Sequence, residues 1–322
     1  MQRHAVVGLR AQGAAVRRPL QRWRSAGALA SVDAPPIGGR TAIVLLCLPP
    51  ALLLFTLFVF LPMAEAGWYS VFRWNGYGRP SEFVGLRNFA LLLGDADFRT
   101  ALLNNGLIIA VSLLVQLPLA LALAVLLADR ARGTHGYRLI FFMPYVLAEI
   151  AAGLIWRFVY DGDHGLVARW WTAFGAEPPQ LLAEPGTAMA AILVVVVWKY
   201  FGFHMVLYIA GLQQIDRTLY EAARVDGASA WQCFRLVTLP LLAPTIRLSV
   251  FFAILGSLQL FDLIMPLTKG GPSNSTHTMV SYMYNFGVTR MQVGFGSATG
   301  VVLFVICVGF AFGYKRWVMR DD

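Results

Sequence analysis

The chain has 322 residues, 58% of them hydrophobic and only 13% charged, with a net charge of +9. Several apolar runs approach or exceed the roughly 20 residues that a helix needs to cross a bilayer, which excludes a soluble globular fold. The runs are too long for barrel strands, and the basic residues sit at run ends and in short loops, so neither a transmembrane barrel nor a nucleic-acid binder is expected.

Taken in chain order, residues 1–40 form an Arg-rich, acid-poor start that reads as a positively charged, disordered cytoplasmic arm. A signal or transit peptide is the competing reading, with Ala64-Glu65-Ala66 beyond the first apolar run. That run, Thr41 to Met63, is longer than a secretory core, and its Pro49-Pro50 pair is tolerated near one end of a membrane helix. From residue 41 to 322 hydropathy predicts an all-α polytopic membrane domain with six spans, near 41–63, 104–128, 138–159, 187–212, 244–267 and 296–317. Arg130, Arg132 and Arg138 after the second span, Arg217, Arg224 and Arg235 after the fourth, and Lys315, Arg316 and Arg320 after the sixth share the sign of the amino-terminal tail. Basic residues mark the cytoplasmic side, so both termini and the polar segment after the fourth span are expected there. Cys47 and Cys307 fall in apolar runs and Cys233 in that polar segment, which argues against a disulfide framework.

The segment between the fourth and fifth spans carries the strongest signal. Asp216 suits the N-cap of a helix from Arg217 to about Val225, and Gly227 suits a left-handed stop. Ser229 followed three residues on by Gln232 is a capping-box pattern for a second helix, expected to close at Leu239-Pro240 before the fifth span. The reading is a cytoplasmic helical hairpin between spans 4 and 5. Ala222, Ala223 and Ala228 would let another backbone approach, while Glu221 and Asp226 offer fixed anions. Trp231, Phe234 and Val237 would pin the second helix to the span ends. An ordinary connecting loop is the plainer reading, but it needs neither caps nor a small-residue surface.

No catalytic pattern is present. Lys269-Gly270-Gly271-Pro272 has the wrong order for a P-loop, no zincin or nucleophile-elbow motif occurs, and His4, His135, His164, His204 and His277 are scattered. No metal or cofactor is expected. Within the spans, Lys199, Tyr200 and His204 in the fourth and Gln259 and Asp262 in the fifth are candidates for a substrate pathway, because ionisable groups there are costly unless used. The alternative is that Lys199 pairs structurally with Asp262 or a neighbouring subunit and that Tyr200 and His204 are packing residues. Arg157 and Arg247 lie near span ends and are expected to snorkel.

At Glu221, Ala222, Ala223, Asp226, Gly227, Ala228, Leu239 and Pro240 the chain resembles the permease subunits of binding-protein-dependent ABC importers of the carbohydrate family, which includes the maltose and glycerol-3-phosphate permeases. The resemblance extends to Phe83-Val84-Gly85-Leu86-Arg87-Asn88-Phe89, to Met143-Pro144 and Ile155-Trp156, and to Leu267-Thr268-Lys269-Gly270-Gly271-Pro272. It covers nearly everything from about residue 41 onward. It implies that the motif residues form a coupling helix seated in a cleft of a cytosolic ATPase dimer, that ATP is bound by those partner subunits, and that the permease itself hydrolyses nothing. It also implies a second homologous permease, an extracytoplasmic solute-binding protein, a sugar or sugar derivative as cargo, and a place in the bacterial inner membrane. A secondary transporter not driven by ATP is the rival function, but it would show internal repeats or broken helices and would not need a docking hairpin. A membrane-embedded enzyme would need converging catalytic groups, and none are evident.

Overall fold

The computed structural model describes residues 37–128 and 134–319, with side chains from Val44 and again from Gly136. The expected amino-terminal arm falls almost wholly outside the described residues. The chain divides into two compact units at residue 62, and the first candidate span, α1 (Val44–Tyr69), crosses that boundary.

In the second unit, a short hairpin follows α1, β1 (Phe72–Arg73) pairing antiparallel with β2 (Glu82–Phe83) so that Phe72 faces Phe83 and Arg73 faces Glu82. Asn88, on the short helix α2 (Arg87–Gly94), donates from Nδ2 to the carbonyls of Ser70 and Phe72. The Phe83–Phe89 segment is thus a brace that holds the end of α1. Then come α3 (Ala96–Leu127), α4 (Thr134–Val146), α5 (Glu149–Val159), α6 (Leu166–Ala173) and α7 (Pro185–Leu212). After α7 lie α8 (Arg217–Val225), α9 (Ala230–Leu258), the short α10 (Ile264–Leu267) and α11 (Met279–Met283), and α12 (Val293–Trp317).

Among the described residues five helices, α1, α3, α7, α9 and α12, are long and apolar enough to cross a membrane, and α4 with α5 makes a sixth if the bent pair counts as one span. The six expected spans therefore need three corrections. The second begins at Ala96, eight residues before its expected start, because Asp95 accepts from the Phe98 N–H and caps it there. The third, expected as one helix over 138–159, is broken by 95° between Val146 and Glu149. The fifth runs from Ala230 to Leu258 rather than over 244–267, so Gln259 and Asp262, expected inside it, lie in the turn beyond it.

The centre of the unit is α7, the most buried of the membrane-length helices among the described residues, which packs against the second half of α3, α4 and α9. A helix apolar all round belongs in such a position. Its approach to α4 is set by Gly202, where a Cβ would run into the Phe141 carbonyl oxygen. Gly202→Ala is accordingly expected to destabilise the purified protein by about 1–3 kcal/mol. Gly309→Ala on α12, where the space is open, should leave the thermal midpoint unchanged or raise it. Equal midpoints for the two variants would show that the α4–α7 contact yields without cost.

Two amides within an apolar stretch of α3 hold the far end of the unit. Asn104 donates to the carbonyls of Ser275 and His277, at 2.8 and 2.9 Å, while Asn105 donates to the Ser257 carbonyl and accepts from the Met279 N–H. Thr278 adds a bond to the Leu260 carbonyl. The Leu267–Pro272 segment that carries the family resemblance thereby leads into a loop fixed against α3 and the end of α9. The loop is tight: Lys269, Gly270, Ser273 and Asn274 all have positive φ.

Candidate functional site

The polar segment after α7 folds largely as its sequence indicates. Asp216 accepts from the Thr218 N–H at 2.9 Å and starts α8, and that bond holds its carboxyl below the ordinary aspartate range. At the other end Gly227 has φ 80°, the Ala228 N–H reaches the Ala223 carbonyl and the Gly227 N–H reaches that of Arg224, the paired bonds of a Schellman stop. Ser229 and Gln232 form the reciprocal capping box that opens α9.

The second helix does not close at Leu239-Pro240, as expected from the proline. It runs on without interruption into the fifth span as α9. A wider turn over Phe234–Thr238, with the Leu239 N–H bonded back to the Phe234 carbonyl, accommodates the residue that cannot donate. The expected pinning by Trp231 also fails: the residue is 65% exposed, its ring tilted against Phe234 at 5.5 Å, and the buried residues on this stretch are Cys233 and Thr238. The Tyr220 hydroxyl, 3.0 Å from Thr238 Oγ1, ties α8 to the wide turn of α9. Sequence reasoning missed that tyrosine because a phenol one position from the motif has no short-range partner to betray it.

With the element anchored from behind, its motif residues face outward. Glu221, Ala222, Asp226 and Gly227 are exposed and Ala223 and Ala228 half-buried. Beside them Val225 is 88% exposed. Leu239 and Pro240 are not part of this face; they sit in the body of α9, just after the wide turn.

The remaining candidates divide between a brace and a cavity. The Lys199 ammonium donates to the carbonyls of Pro144, Tyr145 and Leu147, at 2.8 Å and 2.9 Å for the first two, and lies 5.7 Å from the Tyr145 ring. Those are carbonyls orphaned where α4 stops, so the lysine caps the broken helix. It is 1% exposed and hydrogen-bonded to backbone, and among the described residues it neither lines the polar cavity nor forms an ion pair with Asp262.

Tyr200, His204, Gln259 and Asp262 do converge. With Ser112, Gln116 and Glu149 they supply the polar wall of a cavity of about 580 Å³, whose apolar wall includes Tyr145, Phe203 and Phe252. The Tyr200 hydroxyl donates to Glu149 Oε1 at 2.8 Å, and His204 Nδ1 lies 2.7 Å from Ser249 Oγ. Glu149 and Gln116 were not singled out from sequence, although a carboxylate and an amide in apolar surroundings were the available signal. A second cavity of about 530 Å³, walled by Trp156, Trp170, Trp171 and Val194, offers almost no hydrogen-bonding groups. The polar cavity is therefore the one suited to a solute. His164, one of the scattered histidines, has its ring nitrogen within 4.8 Å of carboxylate oxygens of Asp161 and Asp163, but all three residues are exposed and Asp161 accepts from the N–H groups of its own turn.

Residues 37–318 match the family model for the "binding-protein-dependent transport system inner membrane component". The chain belongs to that family. It is thus an integral-membrane permease component of a transport system rather than an enzyme. It is 34% identical over 285 residues to the diacetylchitobiose uptake system permease protein NgcF of Streptomyces coelicolor, covering 84% of this chain and 81% of that one. It is 33% identical over 277 residues to the sn-glycerol-3-phosphate transport system permease protein UgpA of Agrobacterium fabrum, covering 85% and 94%. Among solved structures, a chain of a bacterial alginate ABC transporter in complex with an alginate-bound periplasmic protein superposes with a TM-score of 0.77 at 22% identity, covering 88% of this permease and 96% of that chain. That likeness establishes the fold.

Proposed function

We propose that this permease is one of two homologous membrane subunits of an importer that takes a sugar or sugar derivative from an extracytoplasmic binding protein and is driven by an ATPase dimer docked on α8. The observation that carries the reading is the exposed Glu221–Gly227 face, capped at both ends and tied by Tyr220 to the helix that ends at the polar cavity. ATP belongs to the partner subunits. Sugar or sugar-derivative cargo is supported by the relatives named for diacetylchitobiose and sn-glycerol-3-phosphate and by a cavity that pairs aromatic rings with hydroxyl, amide and carboxylate groups. Nucleotide-driven closure of the ATPases would bias the membrane helices between two conformations, giving alternating access.

Co-expression with an ATPase and a second permease tests the assembly: the three should co-purify, and reconstituted vesicles should take up solute only with ATP and binding protein. Absence of both outcomes would remove the reading. Orientation is a separate expectation. Cysteines placed near Arg132 and Ser229 should be labelled only from the cytoplasm, and those near Gly175 and Ser273 only from outside, which puts both termini in the cytoplasm. The opposite pattern would leave α8 on the wrong side of the membrane for an ATPase.

A further inference from the structure

We infer that the polar cavity selects uncharged saccharides and rejects anionic ones, with Glu149 and Asp262 as the residues that set this choice. The inference rests on the importer reading and narrows its cargo. Its basis is the sign of the groups that a solute meets. Among the residues that line the cavity there are two carboxylates and no lysine or arginine. The nearest ammonium, Lys199, is 1% exposed and engaged by three backbone carbonyls, so it stands behind the wall. It is within 4 Å of neither carboxylate, and it offsets at most one of the two charges. His204, the one imidazole on the wall, is 3% exposed and held on Ser249.

The carboxylates differ in how they are held. Glu149 opens α5, where the unpaired N–H groups of a helix start favour an anion, and it accepts from the Tyr200 hydroxyl. Asp262 is exposed to the cavity and fixed by no ion pair among the described residues. Both keep lone pairs for hydroxyl donors. A second feature marks the cavity as built for a ligand. Gln116 is 2% exposed yet lines it; its amide oxygen is 3.4 Å from Ser112 Oγ, and its amide nitrogen has no partner among the described residues. Open to the cavity, that nitrogen is free to donate to a bound solute. A sugar offers what this set needs: hydroxyls that donate to carboxylates, oxygens that accept from an amide, and C–H faces for Tyr145 and Phe203. A phosphate, sulfonate or uronate would bring a charge beside like charges with no cation among the lining residues of this chain to meet it.

The test uses the assembled transporter in nanodiscs without binding protein, probed by saturation-transfer difference NMR. The neutral probes are maltose, trehalose and diacetylchitobiose; the anionic ones are maltobionate and glycerol 3-phosphate. At least one neutral sugar should give a signal that maltobionate does not share. Glu149→Gln and Asp262→Asn should each strengthen maltobionate binding about tenfold. Asp262→Asn alters an exposed side chain, so the experiment survives if Glu149→Gln fails to assemble. Binding of either anion to the wild type as strongly as the best neutral sugar would overturn the inference, as would anion binding unchanged in Asp262→Asn or silence from every neutral probe. ATP-driven uptake of an anionic solute by the intact complex would overturn the charge selection while leaving the importer standing. Failure of the ATPase to assemble would instead strike the importer reading.

Discussion

Gly227→Pro and Glu221→Lys should each abolish solute uptake and transport-stimulated ATP hydrolysis while leaving the protein inserted in the membrane. Gly227 has φ 80°, a conformation proline cannot adopt, and both N–H groups of the stop that ends α8 depend on it. The substitution would unwind the last turn, carrying Ala223 and Asp226 out of place. Glu221 lies on the exposed face, where reversal of charge leaves the fold alone and acts on the partner. The expected loss of coupled activity is two orders of magnitude or more, about 3 kcal/mol on the scale of a desolvated interfacial charge. Uptake rates within twofold of wild type in either variant, at equal membrane abundance, would sink the coupling role.

Lys199→Met should destabilise the purified permease rather than alter its handling of substrate. Removing the ammonium leaves the carbonyls of Pro144, Tyr145 and Leu147 without their common donor at the bend between α4 and α5. Leaving such buried acceptors unmatched costs roughly 3–5 kcal/mol, enough to shift the thermal midpoint by several degrees and to lower the yield of assembled complex. Adding Asp262→Asn should not restore stability, because the lysine makes no ion pair with that aspartate. Rescue by the double variant would show the two charges to be coupled after all. A Lys199→Met midpoint equal to that of the wild type would show the bend to be held by packing alone.

These residues also mark where sequence reasoning succeeds and where it stops. The bounds of α8 and the start of α9 were legible because caps and stops are local: Asp216, Gly227, Ser229 and Gln232 act within a few positions of themselves. Hydropathy located the membrane helices for the same reason. The hold on Lys199 was not legible because its partners lie 52 to 55 residues away and are backbone atoms, which leave no trace in side-chain pattern. Asn104 and Asn105 reach across more than 150 residues. Gln259 and Asp262 looked intramembrane because apolar residues continue past Leu258, and only the end of the helix itself places them in a turn. Four of the five candidate pathway residues do share a cavity, but the carboxylate that completes it, Glu149, comes from the far side of a break that hydropathy had smoothed over.

The uninterrupted course of α9 gives the molecule a push-rod. From Thr238, where Tyr220 anchors α8, it extends about 30 Å to Leu258 at 1.5 Å per residue, with Gln259, on the wall of the cavity, immediately beyond. A strut of this kind carries an axial displacement or a twist from its base to its tip. The wide turn at Phe234–Thr238, which Tyr220 grips through Thr238, is the collar at which such a stroke enters. A single residue inserted between the collar and Leu258 would turn the tip by about 100° against its base. Drive and cavity would then fall out of phase although every contact at either end was kept.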